Sequence, residues 1–281
     1  MSSVSVGANR GPEFVIVRDF NGDGKDDVAV SNIFATGNNV SIFLNDGAGG
    51  FVEAPGSPIA VGQKPCTMIS GDFNGDGKPD LATANCNTDD VTILLGNGDG
   101  TFAQSADSPI PVGSAPNGIV AGDLNADGKL DLAIANENSN DVTILLGNGD
   151  GTFAAQPPIA VGSVPNALAI GHFDAGATLD LAVANLGSSD VTILLGNGDG
   201  TFAQAAASPI AVGSFPSSIV AADFNADGKT DLVTANQGSN SISILNGNGD
   251  GTFTASPDIG FSGPAFFVMA GDFNGDGKAD L

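Results

Sequence analysis

A nine-residue pattern of acidic and amide side chains is the feature of this sequence best suited to do chemistry. Its clearest copy is residues 72–80, Asp-Phe-Asn-Gly-Asp-Gly-Lys-Pro-Asp, which places side-chain oxygens at positions 1, 3, 5 and 9. The backbone carbonyl at position 7 supplies another oxygen, and the glycines allow a tight turn that points these groups inward. Calcium takes roughly six to eight hard oxygen ligands in flexible loops. The pattern therefore predicts a Ca²⁺ site, in which the cation offsets the repulsion among three crowded carboxylates.

The pattern begins at residues 19, 72, 123, 172, 223 and 272, so its copies, here loops 1 to 6, are 49 to 53 residues apart. Five of the six copies keep all the oxygens, and from them we expect four or five bound Ca²⁺ ions. The predicted ligands, with each lysine contributing its backbone carbonyl, are Asp19, Asn21, Asp23, Lys25, Asp27, Asp72, Asn74, Asp76, Lys78, Asp80, Asp123, Asn125, Asp127, Lys129, Asp131, Asp223, Asn225, Asp227, Lys229, Asp231, Asp272, Asn274, Asp276, Lys278 and Asp280.

Loop 4, residues 172–180, departs from the pattern because it has no acid at positions 1 and 5. With only Asp174 and Asp180 left, we expect it to bind no calcium. Its first residue, His172, is the sole histidine of the chain and invites a catalytic interpretation. We favour instead the interpretation that His172 is a surface residue in a loop that has diverged from the repeat.

Two other loop types are alternatives for the pattern: a metal-free hairpin turn and an EF-hand. Asn-Gly and Asp-Gly form hairpin turns without any ion, but a turn needs only one such dipeptide and does not require acids at positions 1, 5 and 9. An EF-hand requires a Glu at position 12 and a following helix. Here position 12 is Val30, Thr83 or Ile134, each within a short β-like run. The loops are therefore predicted to bind calcium while joining two strands.

The elements around each loop are predicted to form one blade of a β-propeller. A repeat near fifty residues is typical of a propeller or solenoid, and the third unit contains four strand-like runs, at 116–122, 132–135, 142–146 and 158–161. We call these strands A to D. Strand C is apolar on both alternating faces, which requires burial on both sides. Blades packed face to face around an axis provide that burial.

The fold class is thus all-β, a β-propeller of four-stranded antiparallel blades. We expect one domain over residues 1–281, with five complete blades and a partial terminal blade of a six- or seven-bladed parent. The complete blades are predicted at about 13–62, 65–113, 116–162, 165–213 and 216–261, and the partial one at 264–281 together with a strand at 3–7. The terminal blade would lack most of strand B and all of strand C, so we expect the chain to be incomplete at its C-terminus.

Residues 71–77 followed by Asp80-Leu81-Ala82 resemble the FG-GAP or VCBS repeat, the unit of integrin-α-like β-propellers. The resemblance covers essentially the whole chain. It implies a calcium-binding propeller, and it implies that ligand binds on the face formed by the B–C loops and D–A connections, opposite the acidic loops. The motif specifies the fold and says little about the ligand.

The charge of the chain excludes several function classes. Acidic residues outnumber basic ones 32 to 8, and five of the six lysines occupy loop position 7, which leaves no basic patch for nucleic acid. No apolar run approaches the length of a membrane span, and the N-terminal residues show no signal-peptide pattern. Because calcium is abundant outside the cell, we expect a segment of a secreted or cell-surface protein.

A second glycine-rich motif, residues 147–153 (Gly-Asn-Gly-Asp-Gly-Thr-Phe), recurs nearly unchanged from Gly96, Gly196 and Gly247. It lies between strands C and D. It could form a second ion site, but we favour a turn that places Phe153 against the next blade.

The two cysteines, Cys66 and Cys86, are predicted to form a disulfide. In an antiparallel hairpin, paired residues have a constant index sum, and this sum is 152 both for the loop ends Asp72 and Asp80 and for the cysteines. They should therefore face each other directly across strands A and B. The alternative is a pair of unrelated buried thiols.

The sequence favours a calcium-stabilised, extracellular binding or adhesion module whose partner is a protein or a glycan. The B–C loops differ among units, so Phe34, Asn138 and Asn140 are candidate ligand contacts, although Phe34 could instead cover an open blade edge. A structural spacer in a surface protein is the main alternative. A lectin or a polysaccharide-lyase-like enzyme is less well supported, because the chain has one His and no Tyr or Trp. We therefore expect no enzymatic activity.

Overall fold

The structure, a computed structural model, describes residues 10–34 and 37–281. Within that range each of the first five repeats forms one antiparallel β-sheet, and no helix is present. Accordingly, no helix in the described part of the chain is long and apolar enough to cross a membrane. The strand predicted at residues 3–7 lies outside the described residues.

Each sheet has the same three inner strands, joined in sequence order as A, B and C. The A strands are β1 (Pro12–Arg18), β6 (Pro65–Gly71), β11 (Pro116–Gly122), β16 (Pro165–Gly171) and β21 (Pro216–Ala222). The B strands are β2 (Asp27–Asn32), β7 (Asp80–Asn85), β12 (Asp131–Asn136), β17 (Asp180–Asn185) and β22 (Asp231–Asn236). The C strands are β3 (Asn39–Asn45), β8 (Asp90–Gly96), β13 (Asp141–Gly147), β18 (Asp190–Gly196) and β23 (Ser241–Gly247).

The outer strand D is longer than predicted and is split into two segments that both pair with strand C. The segments are β4 (Phe51–Glu53) and β5 (Ile59–Ala60), β9 (Phe102–Gln104) and β10 (Ile110–Pro111), β14 (Phe153–Ala155) and β15 (Ile159–Ala160), β19 (Phe202–Gln204) and β20 (Ile210–Ala211), and β24 (Phe253–Ala255) and β25 (Ile259–Gly260). The prediction of strand D at 158–161 therefore missed its first half. In the third blade Pro157 and Pro158 lie in the break, because proline has no N–H to donate to the ladder.

The A strands surround a common axis, as in a β-propeller. They line a central cavity of about 370 Å³, to which all five sheets and residues Phe267 and Val268 of the sixth repeat contribute. The sixth repeat continues the arrangement only through its first hairpin, where Gly271 and Asp280 exchange backbone hydrogen bonds of 3.1 and 2.7 Å. The predicted fold class, with five complete blades and a partial sixth, is confirmed.

The hydrophobic core lies between neighbouring blades. Leu132, Ile134 and Leu145 of the third blade pack in one cluster with Ile93 of the second. Strand B is buried along its whole length in blades two to five, which explains why it is apolar on both faces. Two-sided burial therefore follows from the stacking of blades.

The glycine-rich C–D turn places its phenylalanine against the preceding blade, which corrects the predicted direction. The Phe153 ring lies 5.9 Å from the ring of Phe73, in an edge-to-face arrangement. Phe102 and Phe20, and Phe253 and Phe173, form the same kind of pair. Each pair joins a C–D turn to the acidic loop of the blade before it.

The Cys66–Cys86 disulfide is present, with the two Cα atoms 6.1 Å apart. The register argument for it was wrong by one residue, because Gly71 pairs with Asp80 and Thr67 with Ala84. A β-bulge between Pro65 and Thr67 shifts Cys66 and brings it within reach of Cys86.

The third blade has a hydrogen bond where the second has this disulfide. There Asn117 occupies the position of Cys66 and Glu137 that of Cys86, and Asn117 Nδ2 donates to Glu137 Oε1 at 2.6 Å. The disulfide of the second blade thus stands where the third blade has a side-chain hydrogen bond.

Candidate metal loops

The carboxylate at position 1 organises the backbone of each intact acidic loop. In loop 2, Asp72 Oδ1 accepts hydrogen bonds from the amides of Gly75 and Asp76 at 2.8 and 3.1 Å. Its second oxygen accepts the Gly77 amide at 2.9 Å. Loops 1, 3, 5 and 6 repeat these contacts to the amides at positions 5 and 6. Five loops are therefore wound around their first aspartate.

Positions 3 and 5 hold the rest of the turn. Asn74 Oδ1 accepts the Asp76 amide at 2.9 Å, and Asp76 Oδ1 accepts the Lys78 amide at 3.0 Å. The Lys78 ammonium lies 3.3 Å from Asp76 Oδ2. The backbone hydrogen bond from Lys78, helped by its ammonium, lowers the pKa of the Asp76 carboxyl below its ordinary value. Asp76 is therefore poised to stay ionised.

The aspartate at position 9 is buried and has a role that the sequence analysis missed. Asp80 Oδ2 accepts the Phe73 amide at 2.8 Å, and its Oδ1 accepts the Gly96 amide, at the end of strand C, at 2.7 Å. Burial raises the pKa of the Asp80 carboxyl, although these two amides oppose the shift. Equivalent amide pairs meet Asp27, Asp131, Asp180 and Asp231. Position 9 thus ties loops 1 to 5 to strand C of their own blades.

Loop 4 keeps this tie and little else of the pattern. Asp180 accepts the amides of Phe173 and Gly196 at 2.7 and 2.9 Å. His172 is exposed, and its Nδ1 lies 2.8 Å from the carbonyl oxygen of Thr178. Retention of Asp180 where the acids at positions 1 and 5 are missing is the sequence signal that could have revealed the structural role of position 9.

The intact loops also share an unusual backbone conformation. In loop 2, Gly75 and Gly77 at positions 4 and 6 have φ of 74° and 80°. Loops 3 and 5 have alanine at position 4, yet Ala126 and Ala226 both keep a φ of 61°. Because a side chain disfavours this region, the hydrogen bonds of the loop evidently hold the turn against local strain.

We expect Ala126→Gly to stabilise the protein by about 0.5 to 1 kcal/mol. Removing Cβ relieves a left-handed strain of about 1–2 kcal/mol, and the greater freedom of glycine in the unfolded chain offsets about half of it. Denaturant unfolding measures the change. Gly75→Ala in loop 2 is the matched control and should destabilise. A lower stability for Ala126→Gly would show that the turn is not strained.

The donor set of these loops fits a hard cation. Every candidate ligand is a carboxylate, amide or carbonyl oxygen, which suits Ca²⁺ and not soft metals. The negative charges of Asp72 and Asp76 contribute to the raised pKa of Asp80, so the three carboxylates lie close enough to interact. Within residues 10–34 and 37–281, however, no three acidic, His or Cys side chains form a ready cage. The loops therefore carry oxygens of the right kind, and a bound ion would have to draw the three carboxylates closer together.

The C–D turns pack against the same end of the molecule. The Gly100 amide donates to the Phe20 carbonyl at 3.1 Å, and the Gly151 amide donates to that of Phe73 at 3.0 Å. Within the turn, Asp99 Oδ1 accepts both the amide and the hydroxyl of Thr101, at 2.9 and 2.6 Å. This local network is what the turn interpretation of the motif predicts.

The opposite end carries the B–C loops and the D–A connections. Asn140 Oδ1 accepts the amide of Val164 in the next blade at 2.8 Å, so this side chain has a structural partner. The Asn138 side chain is exposed, while the backbone N–H of Asn138 donates to the Ser114 carbonyl at 3.0 Å. Phe34 is 57% exposed and lies over Gly11, where a Cβ would meet its ring. All three predicted contacts are exposed, but only the Asn140 side chain is shown to hold a neighbouring blade.

The residue before the proline that begins strand A varies among the blades, and it is exposed where it is Lys64 or Phe215. Lys64, Ala115, Val164 and Phe215 all have φ between 53° and 57°, and each precedes a proline. Their side chains differ although the surrounding repeat is nearly constant. That variability next to a constant proline is visible in the sequence, and the sequence analysis overlooked it.

A buried asparagine at the end of strand B braces the B–C loop from inside. Asn85 Nδ2 donates to Asp90 Oδ1 at 2.7 Å and to Thr92 Oγ1 at 2.9 Å. Asn136 and Asn185 make the same pair of contacts in their blades. These loops are therefore held by side chains and keep a defined shape.

Solved structures similar to this one share its fold at low identity. A protein from Lactobacillus plantarum aligns with a TM-score of 0.68 at 15% identity, covering 91% of this chain and 73% of that one. A periplasmic gluconolactonase from Pseudomonas aeruginosa aligns at 0.60 with 14% identity, covering 90% and 71%. BBS1N, in a complex with ARL6DN, aligns at 0.59 with 17% identity, covering 88% and 68%. These similarities indicate the fold alone.

No curated protein matches the chain. The FG-GAP-like repeat matches five times, over residues 19–83, 72–134, 123–177, 173–234 and 223–281. Each match runs from one acidic loop into strand B of the following unit or close to it. Because the matches are continuous from residue 19 to the end of the chain, and because each coincides with the loop and strands described above, this protein belongs to the FG-GAP-like repeat family.

Proposed function

We propose that this chain is a calcium-stabilised propeller module of a secreted or cell-surface protein, and that it binds a protein or a glycan through its B–C and D–A loops. A propeller of FG-GAP-like repeats serves as a binding or scaffold module. Calcium, the extracellular setting and the binding face are the specific parts of the proposal.

One observation supports it above the others, the different character of the two ends. At one end five loops repeat the same candidate oxygen ligands, and the hydrogen bonds that these oxygens accept agree in detail. At the other end the same scaffold displays different side chains, such as Lys64, Phe215 and Phe34. Five loops with identical ligands suit the binding of the same small ion in each. Loops with differing side chains suit the recognition of a macromolecular partner.

The groups available for catalysis are few, so we propose a binding role without chemistry. The only histidine, His172, lies in loop 4 with one ring nitrogen bonded to a backbone carbonyl. The chain has no tyrosine, and five of its six lysines occupy loop position 7. An acid–base mechanism would need such groups gathered in one cleft.

The scaffold alternative is favoured by one specific contact. Asn140, a variable-loop residue, uses its side chain to hold the next blade at Val164, and Asp89 does the same for Ala115 at 2.8 Å. Part of the B–C loop sequence is thus explained by packing between blades. A pure spacer would need no more than this, whereas Phe34 and Phe215 remain exposed without such a role.

Substitutions on the displayed side chains should separate these two functions. We expect Phe34→Ala and Asn138→Lys to weaken partner binding at least tenfold while changing the melting temperature by less than about 1 °C, since both side chains are exposed. The partner would first be sought on a glycan array and among surface proteins. Ala48→Lys, in an exposed C–D turn at the other end, is the control and should leave binding unchanged. If Ala48→Lys alone abolished binding, the proposed face would be the wrong one.

A further inference from the structure

The central cavity of the propeller has a polar rim, formed by Asn117 and Glu137 of the third blade and Asn166 of the fourth. We propose that this cavity binds a primary ammonium group on an alkyl chain, either a free alkylamine or a lysine side chain of another molecule. The ammonium would lie at the polar rim, and the alkyl chain would lie on the apolar wall beside it. This proposal depends neither on bound calcium nor on the loop face discussed above.

Glu137 joins the A strands of two neighbouring blades. Its Oε1 atom accepts a hydrogen bond from Asn117 Nδ2 of its own blade at 2.6 Å and one from Asn166 Nδ2 of the next blade at 2.7 Å. Only the nitrogen of a carboxamide can donate to a carboxylate, so these contacts fix the orientation of both amides. Both asparagines line the cavity, whereas Glu137 lies behind them. The amide nitrogens are therefore turned toward Glu137, and the oxygen on the other side of each amide is left for a ligand.

The two amide oxygens are acceptors without a protein donor. Within residues 10–34 and 37–281, Asn117 and Asn166 use their side chains only as donors to Glu137, and no N–H or O–H group donates to either Oδ1 atom. Both side chains are partly buried, and partly buried polar atoms require a partner from solvent or from a ligand. A ligand at the polar rim must therefore donate more than one hydrogen bond, as an ammonium group does.

The charge around the cavity favours a cationic donor over a neutral one. Glu137 is one of three glutamates in the chain, and it forms no ion pair with any base of the described residues. Among the described residues that line the cavity, the only ionisable side chain is another acid, Glu13. A carboxylate without a counter-ion attracts a cation more strongly where water is partly excluded. The polar rim thus matches the charge of an ammonium group as well as its donors.

The cavity wall becomes apolar two residues further along strand A. The residues at that position in blades two to five all line the cavity, and they are Met68, Ile119, Leu168 and Ile219. The volume of about 370 Å³ lies within the roughly 300–1,000 Å³ of small-molecule sites. A hard metal ion would need about six or more oxygens and would leave the apolar wall uncovered. An alkyl chain attached to the ammonium would cover it.

The polar rim is specific to one junction between blades. The residues equivalent to Glu137, directly after the last residue of strand B, carry no charge in the other complete blades, where they are Ile33, Cys86, Leu186 and Gln237. The repeat therefore folds without an acid at this position. Since a single junction carries the acid, one ammonium group should bind to each chain.

The probe for this site is hexylammonium, titrated into the full chain in a calorimeter. It should bind saturably at one per chain, and the NMR signals of the Asn117 and Asn166 side-chain amides should shift during the titration. 1-Hexanol, which has the same alkyl chain without the charge, should bind at least tenfold more weakly. Glu137→Gln removes the charge and can still accept from both asparagines, and it should weaken hexylammonium binding at least tenfold. Asp107→Asn removes one exposed charge from the break in strand D and is the matched control, which should leave binding unchanged.

A second variant tests the acceptor oxygens directly. Asn166→Leu keeps the approximate size of the side chain and removes one acceptor, so it should also weaken hexylammonium binding at least tenfold. A capped Gly-Gly-Lys-Gly-Gly peptide distinguishes the two sources of the ammonium group. Tighter binding of the peptide than of hexylammonium would identify a lysine of another molecule, and weaker binding would identify a free alkylamine.

Three results would overturn the proposal: no saturable binding of hexylammonium, equal binding of 1-hexanol, or unchanged affinity in both Glu137→Gln and Asn166→Leu. Each would show that the cavity holds solvent without selecting an ammonium group. Phe34→Ala, on the loop face, should leave hexylammonium binding unchanged. Failure of the proposed partner binding and failure of this site can therefore be told apart.

Discussion

Chelation of calcium is expected to lower the melting temperature of the protein by more than about 10 °C. Each intact loop carries three carboxylates, and an ion that binds the native loop far better than the unfolded chain adds about 2.7 kcal/mol of stability at one hundred times its dissociation constant. Five loops lose this contribution together. Scanning calorimetry with added Ca²⁺ and with chelator measures the difference, and calorimetric titration of stripped protein should find four or five sites.

The matched controls for this prediction lie in two loops. Asp72→Asn with Asp76→Asn in loop 2 should remove one site and leave the others, whereas Asp174→Asn in loop 4 should change neither the number of sites nor their affinity. Mg²⁺ at the same concentration should stabilise less, because it demands a stricter geometry than these loops provide. An unchanged melting temperature in chelator would contradict a structural role for calcium.

Asp180→Ala is expected to destabilise the protein by about 3 to 5 kcal/mol, whether or not calcium is present. The substitution leaves the amides of Phe173 and Gly196 without acceptors inside a fully buried site. A hydrogen bond to a charged group contributes about 1.5–3 kcal/mol, and an unpaired buried donor costs a similar amount. At about 2–4 °C for each kcal/mol in a chain of this size, the melting temperature should fall by roughly 10 °C.

Two comparisons show whether position 9 acts through the backbone or through an ion. Asp174→Ala in the same loop removes only an exposed contact to Gly176 and should cost less than about 1 kcal/mol. Asp131→Ala should destabilise more in calcium than in chelator, because loop 3 would lose both the tie to strand C and an ion ligand. If Asp180→Ala melted like the unmodified protein, water would be satisfying the two amides and the structural role would be wrong.

The repeat interval and the two-sided apolar strands were sufficient to predict a propeller of antiparallel blades. Both are global signals, since a strand C like β13 that is apolar on both faces must be covered on both sides, as it is between stacked blades. The break in strand D was not predictable from alternation, because its two segments are only three and two residues long. Prolines in the break were visible, but they mark an interruption without showing that pairing resumes beyond it.

The details of the site depended on geometry that a linear pattern does not contain. The Cys66–Cys86 bridge was predicted from an index sum, yet a bulge beside Pro65 sets the actual register. The sequence gives the oxygens of Asp80 as candidate ligands, but it cannot show that amides from two separate segments already bond to them. Long-range backbone contacts of this kind become visible only when strand C is placed beside the loop.

The hydrogen bond from three of the C–D turns to the loop of the preceding blade gives the series of blades a direction. Gly100, Gly151 and Gly251 donate to the carbonyls of Phe20, Phe73 and Phe173, always from a later blade to an earlier loop. Since an acidic loop is braced by the blade that follows it, damage to one blade is transmitted asymmetrically, first to its predecessor's loop. Unfolding should accordingly spread from a damaged blade to the loop of the blade before it. A destabilising substitution in the fifth blade should therefore loosen loop 4 before it disturbs the first three blades.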